Sequence, residues 1–433
     1  MTEKIKQHNA HFKKVGVIGL GYVGLPLALL FVQKGFDVIG IDVNQSKVES
    51  LKQNVSYIPD VSIDQIKGAT SSGKFTVSSN YQSAEMVDVI IICVPTPLTT
   101  FHEPDLSFLV DVGNSLVPHL KKGQLVILES STYPGTTRKE LLPILEKSKL
   151  QVGTDLFLAY SPERIDPGNK LMTVEEIPKV ISGVTNQCSE QIFQLYSQVY
   201  NQVVTVSSTE VAEITKLLEN TFRYINISFI NEFAILCDNL NLNVWEIIQA
   251  ANTKPYGFTS FFPGPGIGGH CIPVDPLYLL WVAKQSGTNS QFIEISNKLN
   301  HDIIQYIADQ IETISSEKNP RILIYGAAYK KDINDARESS IFPIIQRLDN
   351  SHFHVSYHDP FIPEITVNGK KMQSIPLTEE QLQLADCILI LTDHSQIPIQ
   401  KIIDHAKLVY DTRNITEGLT GNAKVIRLGG GSQ

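Results

Sequence analysis

Short runs of Val, Ile and Leu alternate along the chain with stretches whose apolar residues recur every three or four positions, which predicts strands alternating with helices. Residues 15–18 predict a strand, 22–34 a helix and 38–41 a second strand, so residues 13–42 read as a βαβ unit. Further strand-like runs lie at 87–94, 125–128 and 156–159, separated by helix-period stretches at 106–120 and 137–145. This alternation predicts a parallel, doubly wound sheet. From residue 207 the pattern changes: 209–240 holds no Pro or Gly, and beyond Leu217 apolar residues run almost all round the predicted helix. Such a helix is buried on several sides, and a second copy of the chain would bury it more readily than one small domain, so a homodimer through this region is expected. A Gly- and Pro-rich loop at 261–276 interrupts the helical region, which resumes over 277–314 and ends in a linker at 315–319. Strand-like runs at 321–325, 354–357, 387–391 and 408–410, with a helical stretch at 340–348, predict a second α/β domain. The final GGGSQ is expected to be disordered.

With 433 residues, 42% of them hydrophobic and 19% charged, the chain can bury two or three cores, which excludes a disulfide miniprotein and wholesale disorder. The net charge of −9 and the lack of a long basic run argue against nucleic acid as a partner. The polar N-terminus and the absence of a long apolar run predict no membrane span. Five separated cysteines without CxxC or CxxH spacing predict neither disulfides nor a metal site, and read as reduced thiols in a cytoplasm.

Gly19, Gly21 and Gly24 form GLGYVG between the first strand and helix, where the turn is tight and the backbone must approach a pyrophosphate. Asp42, at the end of the next strand, is placed to bind ribose hydroxyls and to disfavour a 2′-phosphate, so NAD is the expected cofactor on a Rossmann-like domain. Thr96 in CVPTP and Thr132 in ESSTYPG follow later strands and face the ligand edge of such a sheet, or sit in ordinary proline-stiffened turns. Cys271 lies in a glycine-dense loop beside His270 and four residues before Asp275, unlike Cys93, Cys188, Cys237 and Cys387, which read as core residues. It is the candidate nucleophile. Lys216 and Asn220, four apart on a helix, share a face on which an ammonium and an amide can meet one ligand oxygen. Glu163, with Arg164 and Asp166 close by in SPERIDPG, is a carboxylate directly after a strand that could position water, or simply be solvated. Lys330, Lys331 and Arg337 cluster after a strand of the second α/β domain in a way that suits a diphosphate.

Together these motifs resemble the UDP-glucose/GDP-mannose dehydrogenase family over residues 13 to 415, through GLGYVGLPLA, VPTP, SSTYPGTT, SPERIDPG, KLLEN, PGPGIGGHCIPVDP and AYKKDINDARES. The resemblance implies two Rossmann-like doubly wound domains joined by a central helical dimerisation region. After a polar tail at 1–12 these are an NAD-binding domain at 13–206, the central region with the cysteine loop at 207–314, and a UDP-binding domain at 320–428. It implies a four-electron oxidation of a sugar C6 alcohol to a carboxylate by way of a thiohemiacetal and a thioester on Cys271. Lys216 and Asn220 would hold the developing oxyanion, Asp275 would act as acid and base through water, and Thr132 and Glu163 would position water or the sugar hydroxyl. Cofactor contacts are expected at Gly19, Gly21, Tyr22, Val23, Gly24, Asp42, Pro95, Thr96 and Thr132. Substrate contacts are expected at Glu163, Arg164, Lys216, Asn220, Tyr256, Gly268, Lys330 and Arg337. Pro167 stands where UDP-glucose members tend to carry a second acid, and no arginine follows Lys254-Pro255, both of which depart from the UDP-glucose pattern. The wording is most similar to the branch acting on UDP-N-acetylglucosamine for surface polysaccharides, with UDP-N-acetylmannosamine the nearest competitor. A single-hydride dehydrogenase of the β-hydroxyacid type would need neither Cys271 nor the C-terminal domain, and a non-catalytic nucleotide-sugar sensor would not need Cys271, Lys216, Asn220 and Asp275 together.

Overall fold

The structure, a computed structural model, describes residues 12–58, 61–101, 103–164, 172–269, 271–314, 319–350 and 353–431. The chain divides into two compact units: Met1–Glu219 with Leu277–Gly287, and Asn220–Pro276 with Thr288–Gln433.

The first unit is built on one sheet of eight strands: β1 (Lys14–Ile18), β2 (Asp37–Ile41), β3 (Phe75–Ser78), β4 (Val89–Ile92), β5 (Leu125–Leu128), β6 (Phe157–Tyr160), β7 (Lys179–Gly183) and β8 (Val203–Thr205). Their order is β3-β2-β1-β4-β5-β6-β7-β8, with every pairing parallel except β6 with β7. Side chains alternate between faces, so Val15, Val17, Val89, Ile91, Leu125 and Ile127 pack with Leu27 and Phe31 on one side. Ile18, Ile90, Ile92, Val126 and Leu128 pack with Leu109, Leu116 and Leu141 on the other. Both faces are covered, which is why β4 and β5 read as unbroken apolar runs.

Several sequence expectations need correction. The first helix is Gly24–Gln33 and leaves Tyr22 and Val23 in the glycine turn. The stretch expected as a helix over 137–145 is a π-helix, Thr136–Leu141, followed by one α-turn, Leu142–Leu145, where Pro143 lacks the N–H a regular helix would use. The helix expected over 277–314 is two, Asp275–Gln285 and Gln291–Ile314, parted by a turn at Gly287. The sheet is not wholly parallel, because β7 runs against β6.

The second unit carries the remainder of the long helix Thr209–Leu240, the helices Val244–Ala251 and Gln291–Ile314, and a five-stranded parallel sheet. Its strands are β9 (Arg321–Tyr325), β10 (His354–His358), β13 (Cys387–Ile390), β14 (Leu408–Asp411) and β15 (Lys424–Arg427), in the order β10-β9-β13-β14-β15. The intervening β11 (Glu364–Val367) and β12 (Lys370–Gln373) form an antiparallel hairpin that the sequence reading did not foresee. Gly326 follows β9 with φ +96°, and a Cβ there would stand 2.5 Å from the Thr392 Cβ. Asp359 follows β10 and accepts the N–H groups of Ala327 and Ala328 at 2.6 and 2.9 Å. The glycine tail is not loose as far as Gly431. Gly429 and Gly431 donate to the Asp238 carboxylate at 3.0 and 3.3 Å, and the Trp245 indole donates to the Leu428 carbonyl at 2.9 Å.

Candidate active site

β1 and β2 deliver the first group of residues to the carboxyl edge of the sheet. Gly19 has φ +90°, and a Cβ there would lie 2.6 Å from the Cys93 carbonyl oxygen, so the turn after β1 fits only glycine. A Cβ on Gly24 would stand 1.9 Å from the Gly19 carbonyl oxygen, which is the close packing of helix on loop. A Cβ on Gly21 meets nothing within 4 Å, so this loop presents bare backbone to open space. No side chain caps the helix that follows. Its N-terminus is therefore directed at whatever fills that space, with the dipole favouring an anion. Asp42, 7% exposed, accepts the N–H groups of Leu20 and Asn44, each at 2.9 Å, and the Lys47 ammonium lies 3.3 Å away. The strand order reverses between β1 and β4, which is where such sheets bind dinucleotides. Backbone open for a pyrophosphate and a carboxylate at the end of β2 for ribose hydroxyls fit NAD. Beyond β4, Pro95 is exposed and Thr96 half-buried. The Thr96 hydroxyl donates to the Ser131 carbonyl at 2.5 Å and Ser130 to Val94 at 2.7 Å, tying the two expected loops together. Cys93 is half-buried here and packs against the core of the first unit, whereas Cys188, Cys237 and Cys387 are buried.

Farther along the same edge is a buried charged group that sequence reasoning missed. Lys179, 3% exposed, donates to Glu129 at 2.9 Å and to Glu163 at 3.0 Å, and its ammonium lies 5.6 and 5.2 Å from the ring centres of Tyr196 and Tyr200. The Tyr196 hydroxyl donates to the other Glu129 oxygen. Burial pushes the Glu129 carboxyl above its usual range against the pull of Lys179. Burial also pulls the Lys179 ammonium toward neutrality, but the two carboxylates outweigh it and hold its pKa well above the usual lysine value. The available signal was a charged residue inside each of two apolar runs, LVILES and IPKVISG.

Glu163 and Lys216 do come together. The Lys216 ammonium donates to the Glu163 backbone carbonyl at 2.5 Å, and the Arg164 N–H to the Glu163 carboxylate at 2.6 Å. The Arg164 guanidinium itself forks onto Glu219 at 3.1 and 2.5 Å. Thr132 is fully buried, and its hydroxyl donates to Thr136 at 2.6 Å. A further residue passed over is Glu213, three positions before Lys216. Its buried carboxylate accepts from the Gly135 N–H at 2.5 Å and from the Thr137 N–H and hydroxyl at 2.8 and 2.7 Å. Burial raises its pKa to about 7 although those donors oppose the shift.

In the second unit, Asn220 and Asp275 meet. The Asn220 amide donates to the Asp275 carboxylate at 2.5 Å, with the two residues 7% and 1% exposed. The Cys271 carbonyl accepts the N–H groups of Val274 and Asp275 at 3.1 and 2.9 Å, so the thiol-bearing residue begins the turn that presents Asp275. Gly268 is in tight packing: a Cβ there would lie 2.6 Å from the Glu338 carbonyl oxygen and 2.8 Å from the Tyr329 Cβ. Arg337 forks onto Asp335 at 3.0 and 2.6 Å, so its charge is balanced beside it. Lys330 is half-buried and Lys331 exposed. Tyr256 is 73% exposed, with the Lys254 ammonium 5.2 Å from its ring centre. His270, Asp166 and Pro167 lie outside the described residues.

The fold and the glycine seat define a dinucleotide-binding α/β protein. Three family models match in order: the UDP-glucose/GDP-mannose dehydrogenase family NAD binding domain over residues 13–203, its central domain over 210–302 and its UDP binding domain over 323–418. A UDP-N-acetyl-D-mannosamine dehydrogenase of Methanococcus vannielii is 34% identical over 429 residues, covering 95% of each chain. A UDP-N-acetyl-D-glucosamine 6-dehydrogenase of Pseudomonas aeruginosa is 37% identical over 356 residues, covering 81% of this chain and 83% of that one. Among solved structures, a UDP-D-ManNAc dehydrogenase from Pyrococcus horikoshii superposes with TM-score 0.86 at 31% identity, over 96% of this chain and 99% of the other. The chain belongs to the UDP-glucose/GDP-mannose dehydrogenase family and is an NAD-dependent nucleotide-sugar dehydrogenase.

Proposed function

We propose that this enzyme oxidises the C6 hydroxyl of a UDP-N-acetylhexosamine to the carboxylate in two steps, with Cys271 as the covalent nucleophile. Bound NAD supplies hydride acceptance, one equivalent for each oxidation. Glu163 and Thr132 orient the C6 hydroxyl or a water, and Lys216 with Asn220 places positive charge and an amide donor against the oxygen that gathers negative charge. The resulting aldehyde lacks a tetrahedral carbon from which a second hydride can leave. The Cys271 thiolate adds to it, the oxygen takes up a proton, and the thiohemiacetal so formed gives up that hydroxyl proton together with the second hydride to become a thioester. Water, handled by Asp275, then attacks the thioester carbonyl and expels the thiolate, leaving the uronate. This cycle requires a reduced thiol, as the cytoplasm provides.

The observation that carries this reading is the turn from Cys271 to Asp275, in which the thiol-bearing residue caps the segment holding a carboxylate that is 1% exposed and fixed by Asn220. Among sugars, the wording of SPERIDPG and KPYGFTSFFPGPGIGGHCIPVDP and the 37% identical relative support UDP-N-acetylglucosamine. The Methanococcus relative, matched along 95% of its length, supports UDP-N-acetylmannosamine as the second reading. The test is NADH released per sugar consumed with UDP-N-acetylglucosamine, UDP-N-acetylmannosamine, UDP-glucose and UDP-N-acetylgalactosamine in parallel, on the native enzyme and on Cys271→Ser. Two NADH per UDP-N-acetylglucosamine, with Cys271→Ser still binding NAD but making no uronate, is the expected result. One NADH per sugar, or normal turnover by the variant, overturns the thioester route, and a preference for another sugar corrects the substrate.

The exposed face of the long helix supports the homodimer. Phe222, Phe229 and Leu236, seven residues apart in turn, are 52%, 57% and 48% exposed. That spacing keeps them on one side of the helix as a stripe that a second copy of the chain would cover.

A further inference from the structure

We propose that Lys179, clamped by Glu129, is a positioning residue that holds Glu163 ionised and aimed at the substrate edge of the first sheet. The inference rests on the role given to Glu163 above and extends it to residues with no assigned part in the reaction.

The placement begins with strand direction. In a parallel sheet the first residue of a strand lies at the edge opposite the ligand. β7 instead runs against β6, with Tyr160 opposite Ser182, so the same register carried three residues further sets Glu163 opposite Lys179. The Ser161 hydroxyl, donating to the Val180 carbonyl at 2.8 Å, shows that the two segments stay together beyond the strand ladder. Reversing one strand thus brings a lysine at a strand start to the carboxyl edge, beside the loop that carries Glu163.

Within that corner, one ammonium is shared by two carboxylates from different segments, and all three groups are nearly out of water. A buried carboxylate without a partner takes up a proton, and a second carboxylate near it raises that tendency further. Lys179 opposes both effects at Glu163, while Glu129, 2.9 Å from the same ammonium, helps keep Lys179 charged. Tyr196, Tyr200 and Cys93 are pushed by burial toward their neutral forms, Arg164 spends its guanidinium on Glu219, and Lys216 bonds the Glu163 backbone rather than its carboxylate.

The test is the pH profile of kcat for the native enzyme, Lys179→Met, Lys179→Arg and Glu163→Gln, following NADH with whichever of UDP-N-acetylglucosamine and UDP-N-acetylmannosamine the native enzyme turns over. Lys179→Met is expected to move the acid limb upward by about one pH unit or more, with kcat near neutrality down about tenfold and recovering at higher pH. KM for the UDP-sugar should change less than about threefold, since the lysine touches Glu163 and not the sugar. Lys179→Arg, which keeps the charge, should restore much of the native profile. Should Lys179→Met fail to fold because Glu129 is left without its partner, the double variant Lys179→Met/Glu129→Gln removes that charge and should show the same displaced limb. An acid limb that stays in place in a folded variant, while Glu163→Gln is inactive, overturns the positioning role alone. Normal turnover by Glu163→Gln overturns the underlying reading of Glu163.

Discussion

Two glycines three residues apart in the same loop respond to one added methyl in opposite ways. At Gly24 the new Cβ would be 1.9 Å from the Gly19 carbonyl oxygen and 3.2 Å from the Cys93 Cβ. The nearest obstacle is backbone, so no side chain can swing aside and the helix must lift off the loop. Overpacking of that kind costs about 1–3 kcal/mol and more where backbone has to move, so Gly24→Ala should lower the melting temperature of the first unit by several degrees. At Gly21 the Cβ meets nothing within 4 Å. Gly21→Ala should therefore melt within about a degree of the native protein, a stability change inside roughly 0.5 kcal/mol. If the open space is the pyrophosphate seat, the same methyl blocks close approach of the phosphates, and the loss of about 3 kcal/mol of binding corresponds to a Kd for NAD raised ~100-fold or more. Thermal melting without ligand, paired with calorimetric titration of NAD, reads both quantities. A Gly21→Ala protein that binds NAD as tightly as the native chain, or a Gly24→Ala protein that melts with it, would refute the reasoning.

Glu213 gives a prediction with a definite sign. Its pKa is raised to about 7 in the folded chain from an ordinary carboxylate value. The folded state therefore binds more protons than the unfolded one between about pH 4.5 and 7, and stability falls as pH rises through that window. Denaturant melts at pH 5 and pH 8 should show the advantage of the native protein over Glu213→Gln shrinking by up to about 3 kcal/mol at the higher pH, and an advantage that grows instead refutes the raised pKa. If the exposed face of the long helix is the proposed dimer interface, Phe229→Glu should lower the mass seen in sedimentation experiments toward that of one copy while each copy stays folded, and an unchanged mass would remove that helix face as the interface. Asp238→Asn should loosen the three N–H and hydroxyl groups now bound to one carboxylate, those of Gly429, Gly431 and Tyr306, and increase amide exchange at the two glycines.

What was legible in the sequence was whatever a local pattern determines. The Val and Ile run at 15–18, the three glycines and Asp42 fixed the first βαβ unit, because period-two burial and a tight turn leave few other ways to read them. The long helix was bounded correctly at Thr209 and Leu240 because nothing within it breaks a helix. The direction of β7 was not legible, since a short apolar run carries no sign of which way it points across a sheet. The importance of Lys179 and Glu129 was hidden with it, because each looks like an isolated charge until the reversed strand sets it among the others. Lys216 and Asn220 were rightly placed on one helix, but they serve different partners, the backbone of Glu163 and the carboxylate of Asp275. The hairpin was missed for another reason. Asn368 and Gly369, with φ of 50° and 75°, form the Asn-Gly turn that joins such strands, and the signal was present but not read.

The two sheets repeat one device, a glycine after the first strand and an aspartate after its neighbour, with opposite endings. In the second sheet Asp359 is already spent. Besides Ala327 and Ala328 it accepts the N–H groups of Phe361 and Ile362 at 2.7 and 2.9 Å, and His394 lies 3.1 Å away. The Nδ1 of His394 accepts the Asp332 N–H, so the proton on its Nε2 points at Asp359. A carboxylate surrounded by five donors has nothing left for a ribose, whereas the corresponding aspartate of the first sheet, Asp42, accepts two N–H groups and lies beside one ammonium. Among the described residues there is thus one dinucleotide berth per chain. On the proposed chemistry, two oxidations have to share it in succession, so the first reduced cofactor must leave before the second can arrive. The lifetime of the bond to Cys271 then sets the tempo: it has to outlast a change of passenger, or the half-oxidised sugar is lost to solvent.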